Sequence, residues 1–178
     1  MSKGKRRAMV VVAVLLLVFG IATDRLFIHP RLAPVPPSVD AIVEFGGAGM
    51  DGRDRIALEL ARTGHAPYLA QSTLADAEGT SVCLPPVPDV TVLCFHAEPN
   101  TTRGEARWIR DEAERRHWRS VVLVTTPDQA WRARLRTTRC FDGDVYVATA
   151  PLPRSEWVRQ IPYQWAATVK ALILERSC

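Results

Sequence analysis

Strand-like and helix-like segments alternate from residue 40 onward, and this alternation limits the fold of the chain more than any other feature. Short apolar runs typical of buried strands occur at 40–45, 67–72, 90–95, 120–125 and 144–148. Amphipathic stretches typical of helices occupy 54–63, 102–117, 128–139 and 156–174. Parallel strands require such crossover helices. The order therefore predicts a Rossmann-like, three-layer α/β domain with a mostly parallel sheet of about five strands.

The first 28 residues predict a membrane anchor. Four cations within residues 3–7 precede an uncharged apolar run from Ala8 to Ala22, and residues 23–28 extend it. A bilayer core needs ~20 residues, more than this run of about 15, and the cations favour a cytoplasmic N-terminus. We therefore predict a basic cytoplasmic tail and single-pass transmembrane helix over residues 1–28, with the domain on the extracytoplasmic side of the cytoplasmic membrane. The alternative is a signal peptide cleaved near Ala22, which exports the same domain.

The segment that follows the anchor is rich in proline. Residues 29–38 contain Pro30, Pro34, Pro36 and Pro37, a composition that predicts an extended spacer. The α/β domain then occupies residues 39–178.

The net charge of +4 does not indicate a nucleic-acid partner. The chain has 23 basic and 19 acidic residues, and the four cations of the tail account for the whole excess. The rest of the chain is neutral and has no basic stripe with interleaved aromatic residues, so no nucleic-acid binding is expected.

The four cysteines fit an oxidising compartment. Cys83 and Cys94 bracket a turn-rich, proline-containing segment, and a Cys140–Cys178 bridge would then fasten the last helix. Four buried free thiols are the alternative. The chain has no C-x-x-C motif and no histidine at zinc-ligand spacing, so no metal site is predicted.

Glycines and polar residues follow four of the predicted strands, at the ends where parallel sheets bind ligands. Gly46 and Gly47 follow the first strand, where missing side chains let a ligand approach the backbone. The other candidate ligand-binding residues at strand ends are Ser72, Asn100, Thr101, Thr102, Thr125, Thr126 and Gln129. Arg55 and Arg132, on the helices that follow, would add positive charge for an anion.

Two carboxylates are candidates for acid–base catalysis. Glu98 precedes a proline in a loop, where no helix cap accounts for it. Glu105 stands three residues after Thr102, which is the spacing of a helix capping box and gives this pair a structural alternative. Thr126, before a proline, has the pattern of a helix N-cap. Glu44 lies within an apolar strand, where a carboxylate needs a partner.

Taken in order, these motifs resemble the family of bacterial envelope proteins typified by SanA, ElyC and YdcF. The resemblance covers about residues 40–148. In the first half it rests on the first-strand glycine motif at 40–47 and on the helix with Arg55 and Gly64. In the second half it rests on the series Glu98, Thr102 and Glu105, and on the fourth-strand motif at 124–126 followed by Arg132. It implies a Rossmann-like fold and a role in envelope or cell-wall homeostasis that involves a lipid carrier.

Two departures from the family pattern bear on chemistry. The family's Ser-Gly-Gly after the second strand is Ser72-Thr73-Leu74 here, and Gln129 replaces a histidine. Glutamine cannot act as a general base. One hypothesis is an envelope enzyme or binding protein for an anionic, phosphorylated wall or lipid-carrier precursor. The other is a non-catalytic envelope scaffold or regulator. Whether the chain is an enzyme stays open, and no cofactor is identified.

Overall fold

A computed structural model of the protein describes residues 3–46, 52–73 and 83–178. Gly47 and Leu74, which the sequence analysis singled out, lie outside these ranges. Within them the chain forms five α-helices and a five-stranded sheet.

All five strands of the sheet are parallel. The strands are β1 (Ala41–Glu44), β2 (Tyr68–Ser72), β3 (Thr91–Phe95), β4 (Ser120–Thr125) and β5 (Asp144–Thr149), in the order β3-β2-β1-β4-β5. The β1–β4 register pairs Ala41 with Val121 and Glu44 with Val124. This arrangement confirms the predicted Rossmann-like α/β fold.

Helices cover both faces of the sheet. On one face, α2 (Arg53–Arg62) buries Ala57 and Ala61 against Ile42 of β1. On the other face lie α3 (Thr102–Arg116) and α4 (Pro127–Thr137), which pack onto the cluster around Val43. Finally, α5 (Trp157–Val169), with Pro162 inside it, packs against α4 and continues into a π-helical turn, Lys170–Leu174.

The strand order reverses between β1 and β4, which fixes where a ligand can lie. The chain crosses from β1 to β2 in one direction and later returns to place β4 on the other side of β1. Open parallel sheets bind ligands in the crevice beyond the carboxyl ends of the strands at such a reversal. Both α3 and α4 begin at that edge, because each follows the end of a strand.

The N-terminal helix α1 (Lys3–Thr23) continues into a π-helical turn, Asp24–Ile28, and is long and apolar enough to span a membrane. Its apolar side chains are exposed from Met9 to Ile21, whereas Phe27 is completely buried. The proline-rich segment runs along the domain rather than standing clear of it. Leu32 packs on the apolar cluster of one sheet face and Val35 on that of the other.

Two disulfides link the four cysteines. Cys83 is bonded to Cys94, and Cys140 is bonded to Cys178. Both pairings are those predicted from the sequence. The second bridge ties the end of the chain to the segment after α4.

Candidate functional site

A cavity of about 320 Å³ opens at the carboxyl edge of the sheet, beside the reversal of strand order. This volume is within the range of small-molecule sites in proteins. Its wall comes from the end of β1, the starts of α3 and α4, and the C-terminal helix. The lining residues are Gly46, Asn100, Thr101, Thr102, Arg103, Glu105, Gln129, Arg132, Arg136, Gln160, Tyr163, Ala167, Lys170 and Glu175.

Positive charge prevails in the cavity. Four cationic side chains face two carboxyl groups, an excess of two positive charges even when both carboxyl groups are ionised. Arg136 donates to the Glu175 carboxylate at 2.5 Å, and Lys170 Nζ lies 3.1 Å from the other oxygen of that carboxylate. Hydrogen bonds from Lys170 and Arg136 hold the pKa of Glu175 below its usual value. The C-terminal segment thus places the Glu175 carboxylate against two of the four cationic side chains of the cavity.

Arg132 occupies the centre of a buried polar network. Its guanidinium donates to Thr102 Oγ1 at 2.5 Å and to Gln164 Oε1 at 3.1 Å. Gln164 in turn donates to Asp128 Oδ2 at 2.7 Å, and the other oxygen of Asp128 has no hydrogen-bond partner among the described residues. Burial lowers the pKa of Arg132, while the nearby Glu105 and Asp128 act in the opposite direction. The network joins the starts of α3 and α4 to α5.

Glu105 closes the cavity on the β1 side. Its carboxylate accepts a 2.6 Å hydrogen bond from the Gly46 N–H and a second one from the Ser72 side chain. Burial raises the pKa of this carboxyl group against those hydrogen bonds and the charges of Arg132 and Arg53. A Cβ at Gly46 would lie 3.0 Å from Ser72 Oγ and 3.3 Å from Glu105 Oε1. The Gly46 N–H, which was expected to face a ligand, already donates to the Glu105 carboxylate.

The start of α3 differs from the predicted capping box. Thr101 is the N-cap and accepts from the Gly104 N–H at 3.3 Å, so the helix begins one residue earlier than the box requires. Gly104 fits here because a Cβ would lie 2.0 Å from the Pro99 carbonyl oxygen. Thr102 and Glu105 are thereby released from capping, and both side chains turn towards the cavity. Thr126 is the N-cap residue of α4, as predicted, although its side chain makes no capping hydrogen bond.

The structure brings together seven of the sequence-predicted residues and leaves others aside. The seven that line the cavity are Gly46, Asn100, Thr101, Thr102, Glu105, Gln129 and Arg132. Ser72 contacts the site through Glu105, and the buried Thr125 donates to Gln129 Oε1 at 3.2 Å. The predicted catalytic Glu98 is exposed and does not line the cavity. Arg55 is 67% exposed, lies 3.7 Å from Glu59, and is not part of the wall.

The residues of the C-terminal helix that line the cavity were not predicted from the sequence. Gln160, Tyr163, Ala167 and Lys170 line the cavity, and Arg103 and Arg136 complete its charge. Polar residues recur along α5 at intervals of about one helical turn, with Gln160, Gln164 and Thr168 on one side of the helix. This polar repeat is the signal that could have placed α5 at the site.

Another buried carboxyl group, that of Glu44, lies on the opposite face of the sheet. Glu44 is only 4% exposed, and its Oε2 atom has no hydrogen-bond partner among the described residues. Burial, reinforced by the neighbouring Asp54, raises the pKa of Glu44 to about 8. Arg53, rather than Arg55, is the buried arginine of α2, and it donates to the Phe45 carbonyl at 2.7 Å.

Within the described ranges, no group of three or more histidine, cysteine, aspartate or glutamate side chains could hold a metal ion. Comparison with protein-family models and with curated proteins produced no match to this chain.

Proposed function

We propose that this chain is a single-pass envelope protein whose domain, on the extracytoplasmic side, binds an anionic, phosphorylated ligand in the cationic cavity. The observation that carries the proposal is the excess of cationic side chains at the carboxyl ends of the strands. Arg103, Arg136 and Lys170 supply charge, and the Asn100 and Thr101 side chains supply hydrogen-bonding groups beside them. Guanidinium and ammonium groups are suited to phosphate oxygens.

Binding is better supported than catalysis. The position at which the resembling family carries a histidine is Gln129 here, and its side chain accepts a hydrogen bond from Thr125. Glu105 is held by Gly46 and Ser72, which fixes its orientation. A role in envelope or cell-wall homeostasis, with a wall or lipid-carrier precursor as ligand, is proposed together with membership of the SanA, ElyC and YdcF family. The order of the motifs along the parallel sheet supports both proposals.

A non-catalytic scaffold or regulator is the second candidate. Glu175 favours it because this carboxylate is already paired with both Arg136 and Lys170. A ligand anion must therefore compete with a carboxylate of the chain itself.

Titration of the full chain in nanodiscs with inorganic pyrophosphate tests the binding proposal. Lys170→Ala should weaken pyrophosphate binding about fivefold to tenfold, because a charge near the surface is worth ~1 kcal/mol. Glu175→Gln should strengthen binding by a similar factor, because it removes the competing charge. Arg55→Ala is the matched control and should change nothing. Absence of pyrophosphate binding by both the wild type and Glu175→Gln would instead favour the scaffold.

The proposed topology is supported by the cations at the start of α1, before its apolar run, and by the two disulfides. Alkaline phosphatase fused after Cys178 should be active in cells, and the fusion should remain in the membrane fraction at full mass. An inactive reporter would contradict the orientation. Release of a shortened soluble form would contradict the anchor alone.

A further inference from the structure

The C-terminal helix α5 has its polar and apolar sides reversed relative to an ordinary surface helix. Its buried side chains are Gln164 and Thr168, both polar. Its exposed side carries Val158 at 84%, Val169 at 48% and, in the turn that follows, other apolar residues. The exposed apolar residues of this stripe are Val158, Val169, Leu172, Ile173 and Leu174. A soluble surface helix shows the opposite arrangement.

The exposed stripe continues the surface of the membrane-spanning helix. Trp165, also on α5, stacks on Phe19 of α1 with ring centroids 5.1 Å apart, and its indole N–H donates to Thr23 Oγ1 at 3.0 Å. Val169 and Leu172 follow Trp165 by four and seven residues, so they lie on the same side of the helix. Tryptophan, like tyrosine, is enriched at membrane–water interfaces.

An apolar surface at this level would extend the uncharged part of the anchor. The uncharged run Ala8–Ala22 covers roughly 22 Å at 1.5 Å per residue, whereas a bilayer core is about 30 Å thick. The residues that extend the span to Ile28 include Asp24 and Arg25, so apolar side chains from α5 would add to the apolar surface at this end. The outer end of α1 is where Trp165 and the stripe of α5 lie. The exposed cations Arg159 and Arg176 accompany the stripe and suit anionic headgroups.

From these observations we infer that α5 is an interfacial membrane-docking helix, with its Val158–Leu174 apolar stripe embedded in the outer leaflet beside α1. This inference rests on the proposed anchoring of α1. It adds that the side of the domain that carries α5 lies against the bilayer. The same helix separates the bilayer from the cavity, since Gln160 and Tyr163 face the cavity wall. Amphipathic helices of this kind bury their apolar side about 5–10 Å into the headgroup boundary.

Site-directed spin labelling of the full chain in phosphatidylglycerol–phosphatidylethanolamine nanodiscs tests the inference. A nitroxide is attached through p-acetylphenylalanine introduced singly at Val169 or Leu172, with Ile173 as a reserve position. The control label is at Arg62, which is exposed at the end of α2 on the opposite face of the sheet. Labels at 169 and 172 should be more accessible to oxygen than to a nickel chelate, and the label at 62 should show the reverse. Non-reducing peptide mapping of each labelled variant verifies that both disulfides are formed.

Two results would overturn the inference. One is a label at 169 or 172 that behaves like the label at 62. The other is dipolar broadening between labels of two protein molecules, which would show that a second copy covers the stripe. A failure of the anchoring itself is recognised separately, because the chain would then be extracted from membranes by alkaline carbonate.

Discussion

Replacing Arg132 with alanine should lower the free energy of unfolding by about 4 kcal/mol and reduce pyrophosphate binding at least tenfold. The guanidinium is buried and donates to Thr102 and Gln164, with the carboxyl groups of Glu105 and Asp128 nearby. Removing one partner from a buried charged network costs ~3–5 kcal/mol because the other groups are left unpaired. From the sequence, Arg132 is predicted only as a ligand-binding cation on the helix that follows a strand end. Its burial in this network changes that expectation.

The measurement is denaturant unfolding of the full chain in mild detergent, followed by near-ultraviolet circular dichroism. Arg132→Lys keeps the charge but cannot reproduce both hydrogen bonds, and it should lie between the wild type and the alanine variant. Arg134→Ala, at an exposed position of the same helix, should change the free energy of unfolding by less than about 0.5 kcal/mol. Equal losses for Arg132→Ala and Arg134→Ala would mean that the network contributes nothing.

The domain should lose about 3 kcal/mol of stability between pH 5 and pH 8 because of Glu44. Burial raises the pKa of this carboxyl group from 4.5 to about 8, so in this interval the folded state keeps a proton that the unfolded chain releases. Stability falls with pH wherever the folded state binds more protons. The loss therefore starts above pH 4.5 and is complete once the pH exceeds the folded-state pKa.

Glu44→Gln isolates this contribution. Glutamine resembles the protonated carboxyl group in shape and does not ionise, so the variant should be more stable than the wild type at pH 8 and similar at pH 4.5. Glu105, whose pKa is also raised by burial, will keep part of the pH dependence in the variant. Glu59→Gln, at an exposed site on α2, is the control and should leave the slope unchanged. A slope that is identical in the wild type and Glu44→Gln would refute the assignment.

The strands could be predicted closely because each is a short apolar run bounded by turn residues. The predicted strand at 120–125 coincides with β4. Parallel pairing then brings every strand end to one edge, which is why the sequence alone predicts that Gly46, Thr102 and Arg132 lie together.

The rest depended on details that a local pattern does not encode. Arg53 and Arg55 are two residues apart on one helix, hence on different sides, and the sequence does not say which side is buried. A shift of one residue in the start of α3 moved the cap to Thr101 and freed Glu105 for the cavity. The polar side of α5 cannot be assigned to the site from the sequence alone, because its partners Arg132 and Asp128 lie on another helix.

The position of Gln164 has a consequence for the order in which the protein is completed. A chain is synthesised from its N-terminus, so β5 and the whole sheet are available before α5 has been made. Until Gln164 arrives, Arg132 and Asp128 remain hydrated, although the apolar layers around the sheet can already close. Charged groups therefore leave water in the last stage of assembly, and a defect in α5 should slow that stage while leaving formation of the sheet unchanged.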